Sequence, residues 1–293
     1  MAKLSAELFY DGKAELAEGP VWHEGALWWV DIFAGTLNRL DSSTGINSSR
    51  ATGDFLGAAV PSIHGDWLLA RRHQIVHIDW WTGQAETLAT LDGPQNRLRF
   101  NDGKCDPRGR LIVGTMHRDG QTGAAALYQF SGGRLRLLLD GVTISNGMDW
   151  SPDGSQFYYA DSPTGRVDVF DYDLETGALQ NRRPLIQLRH GVPDGLCCDR
   201  DGNLWLALWE GGAVECFDGS TGATLERIDL PVKKVTSCCF GGDNLDHLFI
   251  TTAWEGNPRD QRDAEPLAGG IFVAQPGARG KLPTLAKPDL LYS

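Results

Sequence analysis

The chain has 293 residues, and its 36 glycines and 14 prolines, 50 breakers together, point to many short elements joined by turns. A net charge of -11, with 38 acidic against 27 basic residues and no Lys/Arg block, argues against nucleic acid and anionic membrane surfaces as partners. No run of about 18 apolar residues is present, so no membrane span is expected, and residues 1–12 lack the apolar core of a signal peptide, so a cytoplasmic location is expected.

The first predicted strand is Glu7 to Tyr10. A turn followed by a short apolar strand then recurs at Glu24–Val30, His64–Ala70, Arg108–Val113, Asp153–Tyr159, Asp201–Leu206 and Gly242–Ile250. The marker glycines 25, 65, 109, 154, 202 and 242 are 40, 44, 45, 48 and 40 residues apart. A second turn keeps the same count at Asp41–Gly45, Asp79–Gly83, Asp171 through Gly177 and Asp218–Gly222, with weaker copies at Ser131–Gly133 and Gln275–Gly277. The strands before it alternate apolar and polar, as in Arg166–Phe170 and Ala213–Phe217, and so are half buried. Units of this length with several short strands predict an all-β fold, a six-bladed β-propeller forming one domain over residues 1–293. Pairing Glu7–Tyr10 and Leu290–Tyr292 into one blade would close the ring and remove its free edges.

The inner strands of a propeller run in one sense, so equivalent positions at their starts ring one channel mouth. Counting eight residues back from the marker glycine gives Asn101, Asn146 and Asp194; seven back in the first unit gives Glu18. The second unit offers Gly57 or Ala58, and the sixth Lys234 to Thr236. Asn101-Asp102-Gly103, Asn146-Gly147 and Asp194-Gly195 also have turn chemistry, and their equivalence in the repeat is what points to a site. Oxygen donors including two carboxylates suit one divalent cation of the calcium, magnesium or manganese type.

Other features read as structural. The six cysteines have no C-x-x-C spacing, and adjacent pairs on a strand face opposite ways, so they are reduced, buried side chains. Asn47-Ser48-Ser49 reads as loop, the tryptophans as packing between blades, and Asp31 and Asp161 as structural carboxylates. His73 and His77 look like a solvated edge. No nucleophile elbow, H-E-x-x-H or phosphate loop is present.

Ordered motifs through the whole chain resemble the regucalcin (senescence marker protein)/gluconolactonase family of six-bladed propellers. They are Glu18-Gly19-Pro20-Val21-Trp22, Arg99-Phe100-Asn101-Asp102-Gly103-Lys104, Gly114-Thr115-Met116, Ile144 through Ser151, Phe170 through Asp173, Pro193-Asp194-Gly195, Thr236 through Gly242 and Ala268 through Phe272. The resemblance implies that Glu18, Asn146 and Asp194 hold one divalent metal ion, and that Arg99 and Asn101 bind substrate. It also makes Asp119 the counterpart of a sugar-contacting acidic residue near the Gly-Thr-Met motif.

The implied activity is hydrolysis of sugar lactones such as gluconolactone, xylonolactone or arabinonolactone to the aldonic acids. Asp194 would serve as both metal ligand and general base. The metal could be Ca, Zn, Mn, Mg or Fe(II), and the expected partner is the small-molecule lactone, with no obligate protein partner. The alternatives are a non-catalytic calcium-binding regulatory propeller and a hydrolase of another ester class on the same fold.

Overall fold

The computed structural model describes residues 4–92, 97–256 and 264–288. Strands β1 (Leu4–Ser5) and β2 (Glu7–Tyr10) precede the first unit, which is β3 (Ala17–His23), β4 (Ala26–Asp31), β5 (Thr36–Asp41) and β6 (Asn47–Ala51). The second comprises β7 (Leu56–Pro61), β8 (Trp67–Arg71), β9 (Gln74–Ile78) and β10 (Ala85–Thr90), and the third β11 (Leu98–Cys105), β12 (Leu111–His117), β13 (Ala125–Ser131) and β14 (Arg134–Val142). The fourth is β15 (Ser145–Trp150), β16 (Gln156–Asp161), β17 (Arg166–Tyr172) and β18 (Leu179–Gln187); the fifth is β19 (Val192–Cys198), β20 (Asn203–Trp209), β21 (Ala213–Asp218) and β22 (Thr224–Asp229). The sixth has β23 (Val235–Gly241), β24 (His247–Thr252) and β25 (Ile271–Ala274).

Each unit forms its own antiparallel sheet, giving the all-β six-bladed propeller that the glycine spacing predicts. In every blade the outermost strand is the most exposed. In the first, β4 is buried throughout while β6, with sequence NSSRA, is largely exposed. Asn47 opens β6, so the segment read as loop is an outer strand.

The core consists of six apolar wedges, one between each pair of adjacent blades. Alternation along a strand feeds opposite wedges. Trp28 packs on Trp67 and Trp80 of the second blade, with ring centroids 4.4 and 4.9 Å away. Trp29 joins Trp22 and Phe249 on the other side. Cys197 and Cys198 divide in the same way. Trp81 departs from the packing role, standing exposed at a turn.

The second turn family is a capped loop closed by glycine. Main-chain N–H groups of Ser43 and Thr44 donate to Asp41, those of Ser220 and Thr221 to Asp218, and that of Thr82 to Asp79. In the fourth blade the cap is Asp173, reached by Glu175 and Thr176, whereas Asp171 pairs with Arg183.

Closure of the ring uses the N-terminal side of the chain. Strand β2 is the outer strand of the sixth blade, with Glu7 opposite Val273, and β1 lies parallel to β22 at the edge of the fifth. Leu290–Tyr292 lies outside the described residues. Residues 275–288 instead cross the mouth formed by the ends of the inner strands. Gly280 donates to the Leu245 carbonyl (2.8 Å), Ala286 to Pro61 (2.8 Å) and Lys287 to Gly109 (2.8 Å). Among the described residues no helix is long and apolar enough to cross a membrane.

Candidate metal centre at the channel mouth

Every inner strand breaks register once against its neighbour, and the predicted ring residues sit at the breaks. Pairing jumps from Phe100 to Gly103 in β11, from Ser145 to Met148 in β15 and from Pro193 to Leu196 in β19. Asn101 with Asp102, Asn146 with Gly147, and Asp194 with Gly195 are thereby left out of the ladder. In β3 the last pair before the skip is Glu18. Such bulges re-aim side chains, here at the start of the inner strands.

In β7 and β23 a single residue is skipped, Gly57 and Thr236, which settles the register of the two ambiguous units. Both serve packing. A Cβ on Gly57 would lie 2.6 Å from the Phe100 carbonyl oxygen, and Thr236 Oγ1 donates to the Ala17 carbonyl at 2.6 Å.

The glycines after the polar residues belong to strands, so the turn chemistry of Asn-Gly and Asp-Gly is not what they serve. A Cβ on Gly147 would stand 2.3 Å from the Asp194 carbonyl oxygen, and one on Gly195 would stand 2.1 Å from Ser237 Oγ. Glycine lets successive inner strands approach closely enough for their polar neighbours to meet.

Glu18, Asn101, Asn146 and Asp194 are 5–7% exposed. Burial, then the charges of Asp194 and Asp102, push Glu18 well above the usual carboxyl range. Burial, then Asp102, does the same to Asp194. The Glu18 and Asp194 carboxyls act on each other, and the Asn146 side chain acts on Asp194 to lower it. Asn146 Oδ1 and Asp194 Oδ1 are buried without a hydrogen-bond partner. Two orphaned oxygens beside a carboxyl crowded by like charge are what a divalent cation would satisfy. The donor set is mixed: among the described residues no group of three or more His, Cys, Asp or Glu is arranged to hold a metal ion.

Asn101 differs from Asn146. Its Nδ2 donates to the Ser145 carbonyl (2.8 Å) and its Oδ1 accepts from Arg99 Nη1 (2.7 Å). Arg99 also donates to the Phe100 carbonyl (3.0 Å), lies 5.9 Å from the Phe33 ring centroid, and is 6% exposed. Burial lowers it to about 10, opposed by the charges of Glu18 and Glu255.

Two carboxylates hold the approaches to these strands. Asp31 accepts from the N–H groups of Glu15 and Leu16, ahead of Glu18, and Asp161 from those of Thr143 and Ile144, ahead of Asn146. Along the axis lies a cavity of 220 Å³ lined by Gly19, Asp102, Lys104, Asp149 and Lys281. Lys104 Nζ donates to Asp149 (3.1 Å) and to the Leu196 carbonyl (3.0 Å), and Lys281 Nζ donates to the Trp150 carbonyl (2.6 Å).

Asp119 is exposed in the loop between β12 and β13, and its carboxylate pairs with Arg97. His77 pairs with Asp66. The sequence reading missed Asp102, whose charge bears on both ring carboxyls, and Arg118, whose charge bears on Arg99. It also missed Ser162, the hydrogen-bond acceptor for Asn146 Nδ2 at 3.0 Å. Asp102 stands inside the Arg99–Lys104 motif; Ser162 lies outside the inner strands that the repeat aligns.

The fold is a six-bladed propeller whose inner strands carry a candidate oxygen-donor cluster. Residues 16–254 match the family model described as the SMP-30/Gluconolactonase/LRE-like region, and the chain belongs to that family. It is 36% identical over 298 residues to regucalcin of Xenopus laevis, covering 97% of this chain and 99% of that protein. To regucalcin of Homo sapiens it is 38% identical over 300 residues, covering 97% and 98%. Among solved structures it matches a calcium-binding protein, regucalcin, from Agrobacterium tumefaciens at a TM-score of 0.93 and 28% identity, covering 98% of this chain and 100% of that one.

Proposed function

We propose that the protein is a sugar lactonase, opening aldonolactones with the help of one divalent cation held by Glu18, Asn146 and Asp194. The observation that carries the reading is the pair of orphaned, buried oxygens, Asn146 Oδ1 and Asp194 Oδ1, beside Glu18. The family's description, which includes gluconolactonase, supports the choice of substrate class. When bound, the cation supplies Lewis acidity at the mouth and offsets the crowded carboxylates.

Arg99 and Asn101 orient the sugar, for which the guanidinium retains N–H groups beyond its bonds to Phe100 and Asn101. Asp194 takes a proton from the attacking water as its oxygen bonds to the lactone carbonyl carbon. The ring C–O bond then breaks and the proton passes to the departing alkoxide, so one lactone and one water give one hydroxy acid. Asp119 is assigned to the sugar from the family resemblance near the Gly-Thr-Met motif alone.

A lactone panel followed with a pH indicator, on chelator-stripped protein titrated with Ca, Mg, Mn, Zn and Fe(II), tests the reading. Metal-dependent opening above the spontaneous rate is expected. Tight metal binding with no lactone opened would favour a non-catalytic calcium-binding propeller, a reading supported by the calcium-binding relative.

A further inference from the structure

We propose that Ser162 is a positioning residue that decides which face of the Asn146 amide meets the cation, an inference that rests on the metal-centre reading above. Ser162 opens the short 3-10 turn Ser162–Thr164 after β16 and is 5% exposed. Its Oγ lies 2.8 Å from the Pro193 carbonyl oxygen and 3.0 Å from Asn146 Nδ2. A hydroxyl carries one proton, and a carbonyl oxygen can only accept. The proton therefore goes to Pro193, and the Ser162 lone pairs are left to accept from Asn146. Only the NH₂ side of the amide can face them.

The consequence falls on the other side of the amide. With Nδ2 held by Ser162, Oδ1 is turned away from the serine into the position where it is buried without a partner. A rotated amide would place an oxygen against the serine lone pairs and an N–H donor against the cation. Ser162 also holds the carbonyl of Pro193, the residue before Asp194. One hydroxyl thus ties a donor of the fourth blade to the backbone that carries a donor of the fifth. Partners of this kind, which fix the orientation of a ligand, typically change metal affinity about 10- to 100-fold when removed.

Calorimetric titration of the full chain, stripped with chelator, with Ca²⁺ or Mn²⁺ alone tests the assignment. Ser162→Ala is expected to weaken the Kd about 10- to 100-fold, and Ser162→Thr, which keeps the hydroxyl, to retain the wild-type value. In an Asn146→Asp background, where no amide face has to be chosen and only the tie to Pro193 is lost, Ser162→Ala should cost clearly less affinity than it does beside Asn146. Wild-type affinity in Ser162→Ala, or the same loss in both backgrounds, overturns the positioning role. Wild-type protein that binds neither of these ions, nor Mg²⁺, Zn²⁺ or Fe²⁺ in the same titration, overturns the metal-centre reading and this inference with it. If Ser162→Ala fails to fold, Ser162→Cys, a weak hydrogen-bonding group of similar size, carries the same expectation with a smaller loss.

Discussion

Asp194 and Glu18 bring the same charge to the same place but differ in what the proposed chemistry asks of them. Asp194→Asn keeps an oxygen donor yet cannot take the water's proton, so lactone hydrolysis is expected to fall about 10²- to 10⁴-fold even at saturating metal. Glu18→Gln should be restored substantially by added metal; full recovery of both would reduce Asp194 to a ligand. Deeper on the axis, burial alone would raise Asp149, but Lys104, Lys281 and the N–H groups of Cys198 and Trp150 outweigh it and hold the carboxyl below its usual range. A carboxyl depressed in the folded state contributes stability that is in place above the unfolded value of about 3.9 and is lost as pH falls through the folded one. Asp149→Asn should therefore cost about 1–3 kcal/mol near neutral pH, where Lys104 loses its counter-charge. The gap to wild type should narrow in urea titrations below about pH 4, and a gap independent of pH would refute the assignment. Glu18, Asn101, Asn146 and Asp194 were legible as candidates because the repeat placed them at equivalent positions, and the family resemblance named three of them as a metal set. Ser162, Asp102 and Arg118 were not, because each acts across a contact that no repeat position encodes.

Bulges, rather than turns, aim the site, and they make the glycines beside it intolerant of a methyl group. Gly147→Ala would press a Cβ onto the Asp194 carbonyl and the Leu196 nitrogen, both backbone atoms that cannot swing aside. The expected cost is at least about 1–3 kcal/mol, as for an overpacked core, with weaker metal binding because β15 and β19 must part. Thermal melts and a calcium titration of this variant read both, and wild-type values in each would mean that the two strands separate freely. The strands and most capped turns could be read from the sequence, since alternation and Asp-to-Gly spacing are local signals. The bulges could not: Asn-Gly is equally good chemistry for a turn, and only the neighbouring inner strand makes a Cβ impossible. In the fourth blade the turn was legible as Asp171 through Gly177, and the side-chain contacts show that Asp173 caps it.

At the scale of the molecule, six near-equal units announced the propeller, whereas the path of residues 278–288 across the far mouth left no periodic trace. The N-terminal strand has a definite task in the ring, and its loss should be graded. Deleting residues 1–10 removes the partner of β25 and exposes that edge, so a lower Tm and aggregation are expected. Deleting residues 1–5 removes only the short β1 edge and should leave both near wild type; equal behaviour of the two chains in melts and light scattering would refute the closure role. Glu7 and Val273, which face each other across this closure, also set a schedule for synthesis. At about 5–20 residues per second, Glu7–Tyr10 leave the ribosome tens of seconds before their partner strand exists. Until then the nascent chain is an arc with Leu8 and Phe9 still waiting for a blade to join, and truncated or stalled products would keep that arc open for chaperones and proteases to find.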